Sequence, residues 1–475
     1  MAPNLLLVVL DTARADHLPP HELGLRLAPR IASEVGRRGI ALEAVRSTAP
    51  WTLPSHASML RGAYPTEHGI HGRAAVRKDL RVANVREAVE RQGELWLPEA
   101  LRLAGYRTWG VSANPWVSEP MGLSFGFEAF VPVGAAKLRP RGGVGTRART
   151  SDRLPAAIRR PLGRAARHVV EWRSGVDAGG AKGVDHAARL ASQADPRPWF
   201  GFVNLMEAHV PYAPPRAFNE LRGLAGWGAP AVSRKRRSYE NTLRWNLGQE
   251  VFSREELDTI AALYRGEIRY LDALVGRLLE AVPVDSIVVI TSDHGEALGE
   301  QHQLDHQVTV IEEVLRVPLI VIAGDRPHVP AALDSVRQIP ELLAAYAGVD
   351  TDPWRSRRRV PDGVAVAEYE STVAHDRRSV GVARVGGFAP EAVALLEAEM
   401  AAVTQGDRKL VEVAGARRLE ELPLQRAIDE PGTLARLGSH LDAARSVQAP
   451  PPPEEGYTAQ EASEIESRLQ QLGYL

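Results

Sequence analysis

Residues 3–18 read PNLLLVVLDTARADHL, and the unbroken apolar run Leu5–Leu10 stops at Asp11. A strand with one wet face alternates apolar and polar residues. A run that is apolar at every position must instead be covered on both sides. Such a strand belongs inside a parallel sheet, and similar runs recur at Thr108–Ser112, Trp199–Leu205, Ser286–Thr291 and Pro318–Ala323. Helical patterns lie between them, at Glu94–Ala104 and at Arg254–Val282, where Leu257, Ile260, Leu263, Ile268 and Leu271 share one stripe. Strands alternating with helices predict an α/β fold, a doubly wound sheet with helices on both faces. Sites in such sheets form outside the carboxyl ends of the strands. Asp11, Asn114, Glu207, His209, Asp293 and His294 all follow strand-like runs, so polar groups are predicted to gather at one rim.

Composition narrows the classes. The chain has 475 residues, a formal net charge of −1 and no cysteine. Near-neutrality gives no global field for nucleic acid or an anionic membrane, so neither is expected as a partner. The absence of cysteine removes disulfides, thiolate metal sites and thiol nucleophiles together. The apolar run Leu5–Leu10 is too short for a secretory leader or a membrane span, so a cytoplasmic protein without a transmembrane segment is expected. Residues 1–350 are expected to form the catalytic α/β domain, interrupted by an Arg-rich, acid-poor insertion at 137–173. Residues 360–445 read as a small C-terminal α+β subdomain. There, strand-like Val364–Glu368, Val380–Val385 and Lys409–Val413 surround a helical run, Pro390–Val403. Residues 446–475 read as a linker with the proline run Pro450–Pro453, followed by a last helix, Ala459–Leu472.

Asp11, Asp293 and His294 combine hard oxygen donors with one nitrogen, a set suited to Ca²⁺, Mg²⁺, Mn²⁺ or Zn²⁺. One such divalent ion is the expected cofactor. Thr52 lies in APWTLPSHASMLRGAYPTEHGIHG, residues 49–72, just ahead of a helical pattern from Pro54 to Gly62. A hydroxyl there can cap the helix, or it can be a nucleophile if a base or metal lowers its pKa. The residues alone leave both roles open.

These segments, with ITSDHGEALGEQHQLDHQVTVIEEVLRVPLIVI at 290–322, resemble the sulfatase family of the alkaline phosphatase superfamily. GYRTWGVSANPWVSEPMGLSFGFEAF, NLMEAHVPYAPP, YRGEIRYLDALVGRLL and RKLVEVAGARRLEEL are also similar to the family. The resemblance spans nearly the whole chain apart from Lys137–Arg173 and roughly Ala217–Gly248. It implies an alkaline-phosphatase/sulfatase-like sheet with a small C-terminal subdomain. It also implies metal ligation by Asp11, Asp293 and His294. Thr52 matches the position where family sulfatases carry the cysteine that becomes formylglycine, a modification threonine cannot undergo. Thr12 stands where many members have a second metal aspartate, and His56 closes the altered motif. By the same resemblance, His209 and His306 contact the transferred group or leaving oxygen, and Asn114 holds the anion. His302, His68 and His71 lie nearby in sequence without a matching role. The function expected is a metal-dependent hydrolase or transferase of phosphate, phosphonate or sulfate esters, diesters preferred, with Thr52 as nucleophile. Its partner would be a small anionic ester. The alternatives are a sulfuric ester hydrolase proper and a catalytically inactive binding protein that keeps the fold.

Overall fold

The computed structural model describes residues 2–71, 85–133, 175–324, 333–371 and 388–449. The Arg-rich insertion, the strand expected at Val380–Val385, the proline run and the helix expected at Ala459–Leu472 lie outside the described residues.

The strands are β1 (Leu5–Leu10), β2 (Gly39–Leu42), β3 (Arg107–Ser112), β4 (Ala129–Pro132), β5 (Trp199–Leu205), β6 (Ile287–Thr291), β7 (Ala297–Leu298), β8 (Leu304–Asp305) and β9 (Leu319–Ile322). They are followed by β10 (Val364–Tyr369), β11 (Met400–Gln405), β12 (Arg408–Val413), β13 (Ala416–Glu421) and β14 (Arg426–Ile428). Seven strands form the main sheet in the order β2-β9-β6-β1-β5-β3-β4. β1 pairs in parallel with both β5 and β6, and only β9 runs against its neighbours. β1 is therefore central, and its side chains divide between two cores. Leu5, Leu7 and Val9 face one side, with Leu53, Ala57 and Leu60 of the Thr52–Arg61 helix. Leu6, Val8 and Leu10 face the other, with Ile31, Val184 and Ile268 of the helices Pro29–Arg38, Gly180–Ala191 and Arg254–Ala281. Burial on both faces is what made the run apolar at every position.

β10 to β14 form a separate antiparallel sheet in sequence order. In β11, Ala401 and Val403 pack with Leu437 and Leu441 of the Pro431–Ala444 helix. Met400 and Ala402, pointing the other way, join the main core. The helix expected over Pro390–Val403 needs correction. It spans Pro390–Glu397 and gives way at Ala398 to β11. Ladders to β10 and β12 on both sides outweigh the modest helix propensity of MAAVTQ. The helix expected over Glu94–Ala104 is also divided, into a 3₁₀ turn at Gly93–Leu95 and a helix at Leu97–Leu103 that begins beside Pro98.

One buried cluster ties the small sheet to the main domain. Lys409 of β12 is fully buried, with Nζ 3.1 Å from Glu312 Oε1 and 2.6 Å from the Val310 carbonyl. Arg46 holds the other oxygen of Glu312 at 2.9 Å. Burial pushes the Glu312 carboxyl up, but Lys409 and Arg46 outweigh it and bring its pKa down to about 2. A depressed carboxyl pKa stabilises the fold above the unfolded value and loses that contribution as pH falls through the folded one. Removing Lys409 leaves Glu312 half-compensated. Lys409→Met should lower unfolding stability by about 3 kcal/mol. Denaturant unfolding of the wild type should also weaken between about pH 4.5 and pH 2. Glu312→Gln should flatten that pH dependence.

Candidate active site

Asp11 is the first residue after β1, Asp293 the second after β6, and Asn114 the second after β3. Parallel strands of one sheet, β6 and β1 side by side and β3 on the far side of β5, thus deliver all three to one rim. Asp11, Asp293 and His294 each offer a ligand atom, and these atoms lie within 4.8 Å of one another. All three residues are fully buried. Among the described residues, Asp11 Oδ1 and Asp293 Oδ2 accept no hydrogen bond. Buried carboxylate oxygens without donors are costly, and a cation is the partner that two of them side by side call for. The residues present therefore fit a divalent ion.

The backbone is strained to build this corner. Thr12 has φ +58°, a left-handed conformation that a β-branched residue rarely adopts. It is held because Thr12 N–H donates to Asp293 Oδ1 at 3.2 Å, while Tyr264 Oη donates to the Thr12 carbonyl at 2.7 Å. The Thr12 hydroxyl turns back to the Asp11 carbonyl at 2.7 Å.

Thr52 is the first residue of the Thr52–Arg61 helix, all ten residues of which are buried. Its polar side chains are hydrogen-bonded, to neighbouring segments and within the helix. Ser55 Oγ donates to the Asp293 carbonyl at 2.6 Å, and His56 Nδ1 lies 2.9 Å from the Thr52 carbonyl. The helix ends at Gly62, whose φ of +76° suits glycine and where a Cβ would lie 2.6 Å from Trp354. A buried helix bonded to its surroundings fixes the Thr52 side chain in place. Thr52 Oγ1 lies 3.5 Å from His294 Nε2 and 3.4 Å from Asn114 Nδ2. Asn114 Nδ2 also donates to Asp11 Oδ2 at 2.6 Å.

The imidazoles divide into two kinds. His294 Nδ1 lies 2.9 Å from the Gly295 carbonyl, so Nδ1 carries the proton and Nε2 presents a lone pair. Burial, opposed by Asp293, brings its pKa down to about 4 and keeps it neutral. His209 is pinned in the same way, Nδ1 to the Val210 carbonyl at 2.8 Å. His306 is the cationic one. Burial would lower its pKa, but Asp305 and Glu296, within 3.1 Å and 3.4 Å of Nδ1, raise it to about 9. Its ring centroid is 4.3 Å from that of His294 and 5.4 Å from that of His209. Burial and repulsion from Asp293 together push Asp11 well above the usual carboxylate range.

All seven residues expected at the site, Asp11, Thr52, Asn114, His209, Asp293, His294 and His306, come together. His68 does not join them; it lies 3.0 Å from Ser58 and accepts from the Ile70 N–H. His302 stacks on Trp245 instead. Sequence reasoning missed Asn204, whose Nδ2 lies 3.4 Å from His56 Nε2. A polar residue inside the apolar run Trp199–Leu205 was its signal. It also missed Glu296 and Asp305, which sit inside the quoted 290–322 motif, and Arg236, for which no periodic pattern exists.

The sulfatase family profile matches residues 3–346. The chain belongs to the sulfatase family. No curated protein sequence matches it. Among solved structures, it is similar to a phosphonate monoester hydrolase from Silicibacter pomeroyi, at 18% identity and TM-score 0.61, covering 94% of this chain and 96% of that one. It is similar at the same identity and TM-score to a phosphonate monoester hydrolase from Agrobacterium radiobacter, covering 94% and 95%. A putative sulfatase from Bacteroides thetaiotaomicron aligns at 14% identity and TM-score 0.59, covering 99% and 93%. At these identities the likeness is one of fold, and it extends through the C-terminal sheet.

If the two orphaned oxygens belong to a cation, Asp293→Asn should lower bound divalent metal by about tenfold or more. Thr52→Ala should retain it. Elemental analysis of dialysed protein distinguishes the two. Chelation of the wild type should lower its melting temperature, since the ion binds only the folded chain.

Proposed function

We propose that this sulfatase-family hydrolase is metal-dependent and cleaves phosphate or phosphonate esters, diesters foremost, with Thr52 Oγ1 as nucleophile. The observation that carries the reading is the placement of Thr52 Oγ1. It stands at a buried helix start between Asn114 Nδ2 and His294 Nε2, beside two carboxylate oxygens that lack donors. Asp11, Asp293 and His294 would hold the divalent ion, which supplies charge to lower the hydroxyl pKa and to offset the ester oxygens.

The chain's own groups do the rest. The Thr52 hydroxyl loses its proton to water, and Oγ1 attacks phosphorus. A bond from Oγ1 to phosphorus forms as the bond to the leaving oxygen breaks. His306, protonated in the resting site, gives its proton to that leaving oxygen. The Asn114 amide presents a hydrogen-bond donor to the oxygens where charge accumulates, and His209, its Nδ1 proton committed to the Val210 carbonyl, offers Nε2 as an acceptor. A water molecule then attacks the same phosphorus from the opposite side, giving a proton to the now neutral His306. The bond from phosphorus to Oγ1 breaks, Oγ1 takes back a proton from the water that had received it, and the Thr52 hydroxyl is regenerated.

The distinction between phosphorus and sulfur follows from Thr52. Formylglycine hydrate can discard sulfate by eliminating through its second hydroxyl, and threonine has none. A Thr52 adduct must be resolved by a second in-line attack. The extra charge of a phosphoryl transition state is what a site with a cation and His306 stabilises most. An inactive binding protein would have no use for two unpartnered carboxylate oxygens held beside a hydroxyl.

In a matched aryl series with one leaving group, kcat/KM on the phosphodiester or phosphonate monoester should exceed that on the sulfate ester by at least about tenfold, or about 1.4 kcal/mol of barrier. Thr52→Ala should abolish turnover, and Thr52→Ser should retain part of it. A sulfate preference that depends on Thr52 would overturn the ranking. A normal rate in Thr52→Ala would show that water, not Thr52, attacks.

A further inference from the structure

The loop that carries His306 is bent into conformations it would not hold alone. Gln301, His302, Asp305 and Val308 all have positive φ, at 50°, 58°, 80° and 58°. Each such residue is held at a cost of about 1–3 kcal/mol, met only where surrounding structure over-determines it. What surrounds this loop is the helical pair Gly223–Arg236 and Tyr239–Asn246, in the segment for which the family resemblance offers no counterpart.

Three contacts join them. The Asn246 side chain pairs with the Leu304 backbone in both directions, donating from Nδ2 to the carbonyl at 2.9 Å and accepting the N–H at Oδ1 at 2.8 Å. The Trp245 indole stacks on His302, with centroids 4.1 Å apart and planes 17° from parallel. Arg236, 1% exposed, reaches Glu296 Oε1 at 3.0 Å and Asp305 Oδ2 at 3.5 Å. The other oxygens of those two carboxylates are the ones that face His306 Nδ1. Arg236 therefore closes a ring, in which one guanidinium holds both carboxylates and both carboxylates hold the imidazole. Planar, two-armed donation suits this task, and lysine could not reproduce it.

We propose that residues 223–246 form a brace that locks loop 299–308, and that Asn246 and Arg236 are positioning residues setting the direction of the His306 imidazole. The importance of that direction for turnover rests on the role given to His306 above; the locking of the loop does not. Asn246 pins the middle of the loop, immediately before Asp305, and Arg236 pins the two carboxylates. Neither residue is placed to touch the ester.

The test uses the whole chain with its metal content measured alongside. Asn246→Ala removes both bonds to Leu304 at a partly buried position, and Arg236→Lys keeps the charge but not the two-armed geometry. Amide hydrogen exchange at 300–308 should rise about tenfold in Asn246→Ala, with the β1 and β6 amides unchanged. Its kcat on the aryl phosphodiester should fall about tenfold while KM stays within about threefold, the pattern of a lost transition-state contact. In a His306→Ala background the same change should cost nothing further. Unchanged exchange at 300–308 in Asn246→Ala overturns the brace, and so does a full additive loss in the His306→Ala background. A normal rate in His306→Ala alone would instead overturn the role of His306 in the reaction, with the exchange result still deciding whether the brace exists.

Discussion

Two carboxylates buried side by side are the constraint to which the rest of this molecule answers. Asp11 and Asp293 are fully buried at the ends of adjacent parallel strands, with ligand atoms within 4.8 Å of each other. Two like charges at such a separation repel by roughly 3–4 kcal/mol at an effective dielectric of about 20. The protein offsets part of that with the N–H groups of Thr12 and His294, which donate to Asp293 Oδ1, and with the Asn114 amide on Asp11. One oxygen of each acid still lacks a donor among the described residues. That residue of unmet charge is the physical case for a cation, and the strained Thr12 backbone belongs with it.

Holding Thr52 beside that charge requires rigidity on the other side. The Thr52–Arg61 helix is polar for a buried helix, and each polar group is committed to a neighbour. Ser55 bonds the Asp293 backbone, His56 turns to the helix's own first carbonyl, and Ser58 meets His68. The small antiparallel sheet takes part in the same support. The Glu368 N–H of β10 donates to the Thr48 carbonyl, four residues before Thr52, and the Glu368 carboxylate accepts from both the N–H and hydroxyl of Thr66. A sheet that reads as an appendage in sequence thus supports both flanks of the helix that presents the hydroxyl.

The main sheet was legible because its central strands are buried on both faces, which leaves a signature no other local structure needs. Edge strands carry no such mark. β2, with no buried residue and with Ile40 exposed, and β4, the short AFVP, passed unnoticed. In the small sheet, Met400–Val403 reads as helical because alanine and methionine favour helices locally, and only the ladders on either side make it part of a strand. Asp11, Asp293 and His294 could be grouped from their places after strands, whereas the place of Thr52 ahead of a helix left its role open and the family resemblance supplied it. His209, His306 and Asn114 came through the family resemblance. Arg236 had no such handle. Its function comes from reaching Glu296 and Asp305, 60 and 69 residues away, and a distance of that kind leaves nothing in the local pattern.

The same limit explains why residue types alone do not define a metal site here. Glu296, Asp305 and His306 match the spacing of a ligand triad as well as Asp11, Asp293 and His294 do. The difference is what already fills the space between the acids. Around Glu296 and Asp305 stand the guanidinium of Arg236 and the imidazolium of His306, so two anions meet two cations and the cluster is neutral without an ion. Adding a divalent ion there would bring repulsion from Arg236 and would require His306 to release its proton. Around Asp11 and Asp293, burial lowers the pKa of both His294 and His56; His294 brings a lone pair at Nε2, while His56 turns its Nδ1 proton to the Thr52 carbonyl. Neighbouring clusters of like composition are thus divided by protonation. One is a closed ion network around His306, and the other is an open set of donors suited to a cation.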